Sequence, residues 1–135
     1  MNKFLENKIE FLEKFISEFL EKSTIDKFNE KYEIGKISEL IQIIFERNFD
    51  KDLWINEYLV VQAFNNLSYN FIRDFNSRPL CVGVNLSKLA KLRRASSKLT
   101  KFNDVNSIQV NDENRNNHRR LIQFWNDNRF ILRKG

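Results

Sequence analysis

Apolar residues recur at helical spacing along the first twenty residues, and this pattern constrains the fold more than any other feature. Five of them follow at intervals of four, three, four and three: Leu5, Ile9, Leu12, Ile16 and Phe19. That spacing puts them on one face of an α-helix, which we expect over residues 3–22. Phe4, Phe11, Phe15 and Leu20 broaden this face. We interpret the segment as a helix that packs into the protein's own core. A dimerising coiled coil is the alternative, so a homodimer stays open.

Similar periodicity, interrupted by short links, predicts further helices up to residue 75. A capping-box pattern at residues 23–26 precedes a short helix whose apolar face ends at Tyr32. Gly35 is expected to break the chain before a third helix, and Asp50 or Asp52 to cap a fourth. Residues 53–75 are apolar on nearly every side, which is typical of a helix at the centre of a fold.

The rest of the chain predicts a basic helix over residues 86–102, a polar loop over 103–114 and a last helix over 115–128. We expect residues 129–133 to continue that helix or to extend. Segments 80–84 and 107–110 favour short β structure. With 135 residues and this pattern, we predict an all-α single domain, a bundle of five to six helices with a minor β element.

Charge divides this predicted domain into an acidic and a basic half. Residues 1–60 carry nine Lys or Arg against thirteen Asp or Glu, whereas residues 61–135 carry fourteen against five. Nine of the ten arginines lie in the second half. Such asymmetry indicates a polyanionic partner, and the planar guanidinium group suits phosphate. The bland alternative is a solvated surface that the acidic half neutralises.

The positions of the basic residues around the predicted helices make the hypothesis of a polyanionic partner more specific. On the helix expected from residue 86, Lys91, Arg94, Lys98 and Lys101 share the side opposite the leucines, while Lys88 and Arg93 flank the apolar face. On the last helix, Arg115 and Arg119 share an outer line that Arg133 rejoins if the helix continues, and Arg120 faces elsewhere. A weak helix-turn-helix pattern at residues 86–97 is outweighed by leucines that continue through its turn. The candidate nucleic-acid-binding residues are Lys88, Lys91, Arg93, Arg94, Lys98, Lys101, Arg115, Arg119, Arg120 and Arg133.

Groups suited to catalysis are sparse. The single histidine, His118, falls on the apolar side of its helix, and the single cysteine, Cys81, lies in an apolar segment, so both favour structural roles. Glu6, Glu10 and Glu13 lie near one another on the first helix, and we interpret them as ordinary outward charges. We expect no catalytic residue, metal or cofactor.

These observations leave three functions in order of preference. The first is nonenzymatic binding of nucleic acid, DNA or RNA, through phosphates, as a small subunit of a nucleoprotein complex or an accessory protein. The second is a protein-binding module, such as a phage- or plasmid-encoded inhibitor of a host protein. An enzyme is the weakest. One cysteine and no signal sequence or membrane span predict a soluble cytoplasmic protein without a membrane partner.

Overall fold

Five α-helices and a three-stranded antiparallel sheet make up most of the described chain. The structure is a computed structural model and describes residues 2–20, 31–73, 79–96 and 112–135. The elements are α1 (Lys3–Phe19), β1 (Lys31–Glu33), α2 (Ile34–Asn48), α3 (Glu57–Asn66), β2 (Asn70–Arg73), β3 (Pro79–Val82), α4 (Leu86–Ala95) and α5 (Asp112–Asn128), followed by a 3-10 helix (Arg129–Arg133). The predicted helical bundle with a minor β element is confirmed. The segment expected at 107–110 lies outside the described residues.

Helix α1 packs into the core as its periodicity predicts. The Asn2 side chain accepts a hydrogen bond from the Leu5 amide at 2.9 Å and caps the helix start. Four members of the apolar stripe are buried: Ile9, Leu12, Ile16 and Phe19. Since this stripe is buried within the protein, it cannot also form a coiled-coil seam. Phe4 was wrongly expected on the packed face. It is 60% exposed, and the Lys8 ammonium lies over its ring at 4.5 Å from the ring centre.

Aromatic rings fill the space between α1, α2 and α5. Phe11 makes edge-to-face contacts with Phe45 and Phe124, with ring centroids 5.4 and 5.2 Å apart. Phe49 stacks on Trp125 with centroids 5.3 Å apart. Edge-to-face and offset arrangements are the favoured geometries of aromatic pairs. This cluster fixes α5 against α1, and it therefore determines which face of α5 remains outside.

The long central helix expected over residues 53–75 is wrong, because α3 covers only Glu57–Asn66. Its start is fixed by the Asn56 side chain, which accepts from the Leu59 amide, so neither Asp50 nor Asp52 is the cap. Trp54 and Tyr58, also expected at the centre, are 62% and 55% exposed.

A Schellman motif ends the same helix. The Ser68 amide donates to the Asn65 carbonyl at 2.9 Å, and the Tyr69 amide donates to the Phe64 carbonyl at 3.0 Å. Ser68 occupies the left-handed region, with φ 65°. The accompanying apolar contact joins the Phe64 and Tyr69 rings, whose centroids lie 4.8 Å apart. After this turn the chain runs into strand β2.

Two expectations for residues 23–35 also require correction. Tyr32 lies in strand β1 and pairs with Cys81 of β3 rather than ending a helix; the rest of that expected helix lies outside the described residues. Gly35 lies inside the first turn of α2 and does not break the chain.

The sheet has the strand order β1–β3–β2, and Cys81 of the central strand pairs with Tyr32 on one side and Phe71 on the other. Phe71 and Ile72 are thus strand residues, not parts of a helix. Beyond β3, Gly83 adopts φ 85° and turns the chain towards α4. None of the helices in the described ranges is both long and apolar enough to cross a bilayer.

Helix α4 begins where expected but stops at Ala95, and the uninterrupted helix predicted to residue 102 is wrong. Ser96 has extended backbone angles, φ −66° and ψ 137°. Its buried hydroxyl donates to the Leu92 carbonyl at 2.8 Å and accepts from Asn48 Nδ2 at 2.7 Å. These bonds join the end of α4 to the end of α2. Helix α5 starts at Asp112, three residues earlier than predicted.

Candidate nucleic-acid interface

Cationic side chains from two helices line one cleft at the surface. Helices α4 and α5 pack on each other above the C-terminal end of α1. Lys88 and Lys91 of α4 face Arg120 of α5 across a cleft of about 120 Å³. Its other lining residues are Phe19, Leu92, Glu113 and Asn117. Phe19 and Leu92 are almost fully buried, so the cleft has an apolar floor and polar walls.

Arg120 is held in position within this cleft. Its guanidinium carbon lies 4.8 Å from the centre of the Phe19 ring, which is a cation–π distance. Its Nη2 also donates to the Glu18 carbonyl at 3.4 Å. Both contacts are made to the end of α1. They orient the guanidinium group while leaving further N–H groups able to donate to another acceptor.

A carboxylate lies beside the cations. Glu113 Oε1 is 3.4 Å from Lys91 Nζ, and the two side chains are 62% and 47% exposed. An ion pair this open to solvent contributes at most about 1 kcal/mol to stability. Glu113 therefore lowers the positive potential of the cleft but binds Lys91 too weakly to prevent exchange for another anion.

Further cations extend from the cleft over the outside of α4. Arg93 and Arg94 are both exposed in its last turn. Cations in that position also favour the negative end of the helix dipole, which is a structural reason for part of this charge. Lys98 and Lys101, which complete the predicted row, lie outside the described residues.

Helix α5 presents its arginines on two different sides. Arg115 and Arg119 are exposed one turn apart on the outer surface, and Arg120 turns towards α4 and α1. Arg133 is not brought to this group. Arg133 lies in the 3-10 helix beyond the C-terminal end of α5, whereas the cleft lies beside the N-terminal half of α5. A 3-10 helix turns by three residues rather than 3.6, so Arg133 does not continue the line of Arg119.

Acidic residues of the first half of the chain neutralise some of the positive charge near the 3-10 helix. Lys134 Nζ lies 2.8 Å from Glu10 Oε2, and the Lys134 carbonyl accepts from Asn7 at 2.9 Å. Both contacts lie on the N-terminal half of α1, whereas the cleft lies at its C-terminal end. Arg133 thus belongs to a region where positive charge is partly compensated.

Four residues that line the cleft were missed by the sequence prediction. Glu113 and Asn117 precede Arg120 by seven and three residues, which places all three on one face of α5. Because residues 103–114 were predicted to form a loop, Glu113 was not assigned to that face. Acidic residues Asp112 and Glu113 are typical of a first helical turn and could have indicated the true start. Phe19 and Leu92 were predicted only as core residues.

The side chains considered for catalysis are either at least partly buried or engaged in polar contacts. Cys81 is buried, and burial raises the pKa of its thiol to about 12. His118 is half-buried, and burial lowers the pKa of its imidazole below 6.5. Glu13 accepts from Asn66 at 2.7 Å, and Glu10 is paired with Lys134. Within the described ranges, no three His, Cys, Asp or Glu side chains are grouped so that they could share a metal ion.

Comparison of this chain with protein-family models, with curated proteins and with solved structures found no match.

Proposed function

We propose that this protein binds nucleic acid without modifying it, by contacting phosphates through the surface of α4 and α5. The observation that carries the proposal is the cleft in which Lys88, Lys91 and Arg120 meet from separate helices. Arg93, Arg94, Arg115 and Arg119 extend the positive surface around it. Lysine and arginine that replace the counterions of a polyanion gain affinity by releasing those counterions.

The α4–α5 surface differs from an ordinary charged helix face because its cations come from two helices and meet at one cleft. Charges along a single exposed helix are common and often serve only solubility. In the cleft, by contrast, packing places cations from two helices on the walls of one space, so a single bound anion could contact side chains from both helices. The lone cysteine, buried as a thiol, is consistent with action in a reducing cytoplasm.

The test is fluorescence-anisotropy binding to short single- and double-stranded DNA and RNA at two salt concentrations. One variant changes Lys91, Arg94 and Arg119 to Ala. Its control changes Lys14, Lys36 and Lys51, which are exposed in the acidic half, and so removes the same formal charge. We expect salt-sensitive binding that the first variant weakens and the control retains. For duplex DNA, the slope of log K against log salt should fall by about 0.9 for each phosphate that the variant no longer neutralises.

Two outcomes would overturn the proposal. One is a folded protein that binds none of the four nucleic acids at low salt. The other is an equal reduction of affinity in both triple variants, because net charge rather than the α4–α5 surface would then account for binding.

A second candidate function, binding to a protein, is favoured by two exposed aromatic side chains on the acidic half. The Lys8 ammonium donates to the backbone carbonyl of Trp54 and lies 4.5 Å from the centre of the Phe4 ring, so both residues lie beside Lys8. Both are more than half exposed. Exposed apolar patches commonly mark sites of protein contact. Pull-down with wild-type protein and with a Phe4→Ser, Trp54→Ser variant tests this candidate, which requires a partner that the wild type retains and the variant does not.

A further inference from the structure

We propose that this protein prefers single-stranded nucleic acid, because Phe130 in the 3-10 helix after α5 stacks on an unpaired base. This inference rests on the proposed function and specifies the class of nucleic acid that is bound. It adds a second contact region beyond the C-terminal end of α5.

The ring of Phe130 projects from a backbone segment that is fixed to helix α1. The next residue, Ile131, is buried in the core, and the Lys134 carbonyl accepts a hydrogen bond from Asn7 at 2.9 Å. Phe130 itself is 58% exposed. A phenylalanine side chain has two rotatable bonds, so on a fixed backbone it loses little conformational freedom when a flat ligand lies on its ring.

Basic residues lie next to this ring. The Lys134 ammonium is 5.8 Å from the ring centre. In a 3-10 helix, side chains three residues apart lie one above the other, which places Arg133 on the same side as Phe130. Arg129 and Arg133 are both exposed. Within the described ranges, the ion pair of this segment joins Lys134 to Glu10, so the two arginines are left to bind phosphates.

Helix α5 connects this region to the basic surface described above. Arg115, Arg119 and Asn126 are exposed and are spaced by four and seven residues, so they share one line along the helix. From Arg119 to Phe130, the two helices rise by at most about 17 Å. A short strand that lies along α5 can therefore place its phosphates on the arginines and a base on the ring.

An exposed ring beside cations suits an unpaired base better than a duplex. In a duplex, each base is stacked between its neighbours, so its faces are covered. In a single strand the faces are open, and proteins that bind such strands combine cations for the backbone with aromatic rings for the bases. Every base has a π face, so this contact requires no particular sequence.

The experiment measures fluorescence anisotropy with one labelled sequence, as a single strand and as a duplex, at about 0.15 M salt. We expect the wild type to bind the single strand more tightly. Phe130→Ala should weaken that binding by about fivefold to 100-fold, the range for loss of one stacked base, and should leave duplex binding unchanged. The matched control Tyr58→Ala removes a ring that is 55% exposed on α3, and it should change neither affinity.

Further substitutions separate stacking from charge. Phe130→Trp should retain the affinity for the single strand, whereas Phe130→Leu should lose most of it, because leucine is apolar but has no aromatic face. Phe130→Ala should leave the slope of log K against log salt unchanged, since the ring neutralises no phosphate. Arg133→Gln should reduce that slope by about 0.7, the value for one phosphate of a single strand.

An oligonucleotide whose sugars carry no bases completes the test, and it should bind the wild type and Phe130→Ala equally. The inference is wrong if the wild type binds the duplex at least as tightly as the single strand. It is also wrong if Phe130→Ala, shown by circular dichroism to be folded, binds the single strand like the wild type or weakens both ligands by one factor. These results leave nucleic-acid binding standing, whereas absence of binding to every oligonucleotide overturns the proposed function as well.

Discussion

Replacing Ser68 by Gly should stabilise this protein, because Ser68 ends helix α3 in a conformation that L-residues disfavour. Its φ of 65° is in the left-handed region, and its side chain is exposed. The position is the one that Schellman motifs usually give to glycine. The two backbone hydrogen bonds of the motif do not depend on the side chain, so both should persist in the variant.

Two opposing contributions give the expected magnitude. Left-handed backbone disfavours an L-residue by roughly 1–2 kcal/mol, and glycine lacks the Cβ that causes this penalty. Glycine also increases the entropy of the unfolded chain, which opposes folding by about 0.4–1 kcal/mol. The difference predicts a net stabilisation of about 0.5–1 kcal/mol. A β-branched residue in the same place increases the steric penalty, so Ser68→Val should destabilise.

Urea denaturation followed by circular dichroism at 222 nm measures this difference as a shift of the midpoint. The matched control is Asn65→Gly, an exposed position inside the same helix, where glycine should destabilise by a few tenths of a kcal/mol. Opposite signs at residues 65 and 68 support the Schellman assignment. A Ser68→Gly variant that is destabilised like the control would refute it, because residue 68 would then lie in ordinary helical backbone.

Three further predictions concern the core, the end of α4 and the cysteine. Phe11→Ala should lower the free energy of unfolding by about 3–5 kcal/mol in urea titrations, because its ring contacts several others, whereas Phe4→Ala should change it by less than about 0.5. Ser96→Ala should cost about 1–3 kcal/mol by removing a buried hydroxyl that joins α4 to α2, and exposed Ser87→Ala should be near neutral in the same assay. The raised pKa of Cys81, about 12 against 9.0 when unperturbed, means that the unfolded state releases this proton first. The contribution of Cys81 to stability is therefore complete below pH 9 and declines as the pH rises towards 12, and the Cys81→Ala variant should lack this part of the decline. At pH 8, a thiol reagent should react slowly with the native protein and quickly with the urea-unfolded protein.

The amphipathic helices of this fold could be predicted from the sequence because their signals are local. The stripe of α1 is buried as its spacing requires, and the inner leucines of α4 behave in the same way. The acidic and basic division is a property of composition and needs no fold. In these helices, the residues that helical spacing places on one apolar face are the residues that the structure buries.

The end of α3 could not be predicted because its signal is unusual and depends on distant partners. A Schellman turn with Ser68 in place of glycine carries no recognisable stop in the sequence, and apolar residues continue on both sides of it. Phe71 is apolar in either assignment. It belongs to a strand because Cys81 pairs with it across the sheet, and sequence periodicity does not reveal that partner.

Prediction of the cleft would have required the relative position of two helices, which the sequence does not show. In the sequence, Lys91 and Arg94 form a row on one helix, and Arg120 stands apart because it faces away from Arg119. In the structure that different direction is what brings Arg120 over the Phe19 ring and next to α4. The row itself is interrupted where Ser96 leaves the helix. A row of cations arises readily from a lysine-rich composition. The position of cations from separate helices around one cleft arises only from packing, so the proposal of an anionic partner rests on the cleft more than on the row.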